Sequence, residues 1–121
     1  MQKFIFRAVF YENEDGTKPA KDFVLGLEPK MRAKMFRVIH MLEINGTELR
    51  EPYSKYLEDG IFELRAKVGS DISRVLYFFI VGRKIMLTNG FIKKSQKTPP
   101  SEIKLAKYYR TLFFERHERG E

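Results

Sequence analysis

The chain has 121 residues, no cysteine and a formal charge of +7, which fits one ordinary domain and excludes a disulfide framework, thiol catalysis and any zinc site built on cysteine. No apolar run approaches the roughly eighteen residues of a membrane span, and the opening Met1-Gln-Lys-Phe-Ile-Phe-Arg7 reads as an amphipathic strand, not a signal peptide. A single domain, residues 1–121, in the cytoplasm is the expectation.

Phe4, Phe6, Ala8 and Phe10 alternate with Ile5, Arg7, Val9 and Tyr11, a first strand closed by the polar turn Glu12-Asn-Glu-Asp-Gly16. Thr17 and Pro19 start a short helix whose body is Ala20 to Leu25 and which Gly26 ends. Within Glu28 to Ile44, Met31, Met35, Val38, Ile39 and Leu42 form one apolar face of a longer helix, with Asn45-Gly46 as its stop. Lys30, Arg32, Lys34 and Arg37 lie mostly off that face. Residues 47–60 show no sustained period and read as an irregular connection that delivers Tyr56 and Leu57 to the core.

From Ile61 the period is two: Phe62, Leu64 and Ala66 share one face, and Ile61, Glu63, Arg65 and Lys67 the other. Gly69 to Ser73 turns the chain. Val75 to Val81 is apolar on both faces, as a central strand is, and Gly82-Arg83 is a two-residue turn into a strand from Lys84 to Ile92. Gly90 marks a bulge or a close backbone approach. Thr98 as N-cap and Pro99 in the first turn open a last helix with Ile103, Ala106, Tyr109 and Phe113 at helical spacing. The order β-α-α-β-β-β-α implies an α+β fold, helices packed on a small sheet, with one sheet face left open for a ligand.

The cations are unevenly spread: residues 64–121 hold thirteen Lys/Arg against five Asp/Glu. Clustering of this kind favours nucleic acid, because neutralised phosphates release counterions, although a merely basic soluble protein would have the same pI. Lys93, Lys94 and Lys97 crowd a five-residue loop between a strand and a helix N-terminus, where free N–H groups also favour anions. Arg65 points away from the Phe62/Leu64 face and is able to grip phosphate oxygens bidentately; a salt bridge to Glu63 or Asp71 is the bland alternative. Arg74, at the edge of the most apolar strand, needs an anionic partner, either a protein carboxylate or substrate phosphate. Lys67, Lys34, Arg37 and Gln96 are further RNA-binding candidates, and Tyr77, Tyr108 or Tyr109 a platform for a base. His40, beside an apolar helical face, reads as structural. No His/Asp/Glu set has metal-ligand spacing, so neither metal nor cofactor is expected.

At Gly60-Ile-Phe-Glu-Leu-Arg65, Arg74-Val-Leu-Tyr77 and Phe91-Ile-Lys-Lys-Ser-Gln-Lys-Thr-Pro99, followed by Glu102-Ile and Ala106, the chain resembles the phage-derived HigB-like toxins of the RelE/ParE superfamily. The opening strand with its polar turn, the Pro-started helix and Glu51-Pro52 ahead of Lys55-Tyr-Leu57 extend the resemblance over nearly the whole chain. It implies a microbial-ribonuclease-like fold and the toxin of a type II toxin–antitoxin pair. Such a toxin cuts messenger RNA in the ribosomal A site without metal and is silenced by an antitoxin, typically a HigA-like helix-turn-helix protein. Carried over, the phosphate-contacting roles fall on Arg65 and Arg74, and the basic-loop role on Lys93, Lys94 and Lys97. Where some relatives place histidine, aspartate or tyrosine, this chain has lysines and Gln96, so the general acid and base stay open. A gyrase inhibitor of the same superfamily and a non-catalytic nucleic-acid binder are the alternatives.

Overall fold

A computed structural model describes residues 5–92, 97–118 and 120. Phe4 of the expected first strand and Lys93, Lys94 and Gln96 of the lysine loop lie outside the described residues. The elements run β1 (Arg7–Phe10), α1 (Pro19–Leu25), α2 (Pro29–Asn45), a short 3-10 turn (Gly46–Glu48), β2 (Ser54–Glu58), β3 (Ile61–Val68), β4 (Asp71–Ile80), β5 (Lys84–Ile92) and α3 (Pro100–Glu118). The α+β class and the order of elements hold, with one strand more than the sequence announced.

The five strands form one sheet, ordered β1-β5-β4-β3-β2. β2 to β5 are an antiparallel meander, and β1 adds to β5 in parallel. β4 is the central strand, as its apolar run on both faces requires. Both helix stripes fold as read: Met31, Met35, Val38, Ile39 and Leu42 are the buried residues of α2, and Ala106 is that of α3.

The extra strand is β2, inside the segment expected to be irregular. Asp59 and Gly60, with φ of 51° and 79°, form a two-residue turn with both residues left-handed, the conformation that matches strand twist in a tight hairpin. A register shift between Tyr56 and Glu58 breaks the alternation that would have betrayed the strand. Tyr56 therefore does not enter the core: on this edge strand it is 55% exposed, while Leu57 packs against the core partly buried. Two turns also differ from expectation. Gly69-Ser70 alone separates the paired Val68 and Asp71, and three residues, Val81 to Arg83, separate the paired Ile80 and Lys84.

Neither sheet face is bare. α1 and α2 cover one, packing on Leu64, Ala66, Val75, Tyr77, Ile85 and Leu87. α3 covers the other, with Tyr109, Leu112 and Phe113 against Ile61, Leu76, Phe78 and Met86. The open face expected from the sequence is thus filled by the last helix, for the reason that made β4 central: a strand apolar on both sides needs two covers.

Candidate nucleic-acid interface

Arg65 of β3 and Arg74 of β4 are direct cross-strand partners. Two like charges so placed repel, and the sequence answers with a carboxylate two residues earlier on the same strand face. Glu63 is fully buried, and its oxygens are divided between the arginines. Arg65 Nε donates to Oε2 at 2.8 Å, and Arg74 Nη1 donates to Oε1 at 2.8 Å. Thr98 donates its hydroxyl to Glu63 Oε1 at 2.5 Å and accepts from Arg74 Nη1 at 3.2 Å. Charge-assisted bonds of this kind hold side chains in single orientations.

The two arginines differ in exposure, and so in what they can touch. Arg74 is fully buried, and its Nε and Nη2 have no hydrogen-bond partner among the described residues. Burial pulls its guanidinium below the ordinary arginine value, and Glu63 opposes that pull. Its anionic partner among the described residues is the protein carboxylate of Glu63, one of the two expected for it, and it lies buried where Arg65 is partly exposed. Arg65 reaches the surface: its side chain is 17% exposed, its backbone N–H donates to Tyr53 O at 2.8 Å, and its Nη1 lies 3.3 Å from Glu51 Oε1. The expected alternative of a salt bridge to Glu63 is present as well, and serves to aim the side chain.

Beyond the end of β2, the edge of β3 borders a cavity of about 480 Å³ lined by Lys34, Pro52, Tyr53, Arg65, Lys67, Gly69 and Ile72. Lys34 from α2 and Lys67 from β3 thus join Arg65 around one opening. Arg37 is exposed on α2 but does not line this cavity. Lys97 is exposed, and its neighbour Thr98 bonds to Glu63 and Arg74, so the end of the lysine loop is tied to the arginine pair.

Thr98 was expected to cap α3, but the helix starts at Pro100 and the hydroxyl serves the buried carboxylate instead. The first turn of α3 is pinned otherwise: Asn89 Nδ2 donates to Glu102 Oε1 at 3.0 Å and to the Glu102 carbonyl at 3.3 Å. Asn89 falls where β5 slips register against β4, next to Gly90. Of the three tyrosines named as stacking platforms, Tyr77 is excluded by burial: its Oη lies 2.5 Å from Ser54 Oγ, and burial pushes its pKa up to about 12. Tyr109 stacks on Tyr11 with centroids 4.7 Å apart, whereas Tyr108 is exposed. His40 is exposed on α2.

Sequence reading missed Glu63 as the hub and Tyr53 and Glu51 as neighbours of Arg65. Glu63 carried a signal, a lone acid at a strand position flanked by Phe62 and Leu64; Tyr53 carried none. A cation held by a buried acid at the mouth of a basic cavity can bind an anionic oxygen in a fixed direction.

One protein-family model, that of the phage-derived Gp49-like proteins (DUF891), matches residues 22–114. No curated protein matches the chain.

Proposed function

Since the chain belongs to the phage-derived Gp49-like family, which is associated with toxins of RelE/HigB type from toxin–antitoxin pairs, we propose that it is such a toxin and acts as a ribosome-dependent, metal-independent mRNA endoribonuclease. The observation that carries this reading is Arg65, aimed by buried Glu63 into a cavity it shares with Lys34 and Lys67. RNA carries its own nucleophile, the 2′-hydroxyl. A protein that cleaves it has to align that oxygen with the neighbouring phosphorus, stabilise the charge that builds on the phosphorane and move two protons.

Arg65 is assigned to the phosphorane. Its planar N–H donors suit oxygens whose charge grows in the transition state, and Glu63 fixes the fork beforehand, so little reorganisation is needed. Arg74 and Thr98 hold Glu63 in turn and are positioning residues. Lys34 and Lys67 are assigned to flanking phosphates, with Arg37 at the margin of the same basic surface. Proton transfer falls to the loop lysines Lys93, Lys94 and Lys97. Gln96 and Tyr53 are assigned to base or sugar contacts. The partners are mRNA in the ribosomal A site and a cognate antitoxin, a HigA-like helix-turn-helix protein, whose acidic segments would compete for the basic surface.

Induced expression of the wild type arrests bacterial growth and Arg65→Ala does not, with both proteins giving the same circular dichroism spectrum. Undiminished arrest by a folded Arg65→Ala protein would remove the cavity from the reaction.

A further inference from the structure

The outward end of Arg65 is already occupied by a carboxylate of its own chain. Glu51 Oε1 lies 3.3 Å from Arg65 Nη1, and the Glu51 side chain is 66% exposed. The two acids on Arg65 are therefore unlike. Glu63 is desolvated, bonded through both oxygens, and has no solvent to turn to. Glu51 is held through one oxygen in an exposed ion pair, a contact of small net worth. It also has somewhere else to go: it lines a second cavity, of about 390 Å³, together with Arg50 and Lys55.

A phosphodiester offers a guanidinium what a carboxylate offers, anionic oxygens matching planar N–H donors. We infer that Glu51 is an internal competitor for the phosphate seat on Arg65, displaced when the RNA backbone enters. The inference rests on the reading of this cavity as the RNA site. A single phosphate gains little against an anion already in place. A strand that also engages Lys34 and Lys67 gains enough, so the competitor selects polyanions over mononucleotides.

The test measures affinity for an uncleavable RNA dodecamer, fully 2′-O-methylated, by fluorescence anisotropy for the wild type, Glu51→Gln, Glu48→Gln, Arg65→Ala and the double variant Arg65→Ala/Glu51→Gln. Glu48 is a neighbouring exposed acid, 4.0 Å from Arg50, and controls for the loss of any negative charge. Glu51→Gln binds about two- to fivefold more tightly than wild type, the ratio expected when one exposed ion pair no longer has to be broken. Glu48→Gln gains less, and the gain from Glu51→Gln disappears in the Arg65→Ala background. Unchanged or weaker binding by Glu51→Gln, an equal gain in Glu48→Gln, or a gain that persists without Arg65 would each overturn the competitor role. Pyrophosphate titrations, followed at the Arg65 Nε–H resonance, separate this inference from the RNA reading. If pyrophosphate binds, more tightly to Glu51→Gln, while RNA does not bind, the RNA reading falls and the competitor stands. If neither probe binds any variant, both fall.

Discussion

At the residue scale, Glu63 carries the largest single consequence. Its carboxylate is shared by Arg65, Arg74 and Thr98, and Arg74 has no exposed surface through which water can replace it. Removing one partner of a buried pair leaves the other charge uncompensated. Glu63→Ala should lose about 3–5 kcal/mol of unfolding free energy in urea titrations, and a loss under about 1 kcal/mol, the scale of an exposed pair, would contradict the buried hub. Tyr77 gives a pH signature. Its folded pKa of about 12, raised by burial from 10.0, means that above pH 10 the unfolded chain releases a proton the native state retains. Stability is therefore intact below pH 10 and falls between pH 10 and 12, by up to about 2–3 kcal/mol. Comparing Tyr77→Phe with wild type across that range isolates the effect, and identical slopes would contradict it.

At the scale of elements, the register slip in β5 joins sheet to helix on both faces. A Cβ added at Gly90 would lie 2.2 Å from the Phe23 ring of α1, so the helix can sit on β5 only where no side chain stands between them. Gly90→Ala should cost about 1–3 kcal/mol by overpacking, and Gly90→Ala/Phe23→Leu should recover part of it in thermal melts; additive losses would place the strain elsewhere. On the opposite face α3 is tied to the β2–β3 turn by Lys107 on Glu58 at 2.6 Å and Arg110 on Asp59 at 3.1 Å. The hydrogen bond to Glu58 leads in raising the Lys107 pKa. This element scale is also where sequence was least legible. α1, α2, β4 and β5 followed from apolar period and end signals. β2 did not, because a register slip spoiled its period-two pattern, although Asp59-Gly60 is a recognised hairpin signal that was there to be read.

At the scale of the molecule, the charge of +7 is organised by topology. Lys34 on α2 and Arg65 and Lys67 on β3 meet only because the short edge strand β2 stops before the end of β3 and leaves its margin open. Sequence identified these cations one by one, since each stood off an apolar face. It did not separate Arg65 from Arg74, because period two places both on one side of the sheet and says nothing of how deep each is buried. Arg74 is fully buried and bonded by Glu63 and by Thr98, which precedes α3, whereas the Arg65 side chain keeps some exposure. Ribosome-dependent cleavage is tested by adding the purified protein to a translation extract, with and without ribosomes, and mapping transcript 5′ ends by primer extension for wild type and Arg65→Ala. An A-site endoribonuclease using Arg65 gives cuts confined to translated regions, dependent on ribosomes and absent with Arg65→Ala; intact transcripts under the wild type, or the same cuts made by Arg65→Ala, would overturn that reading.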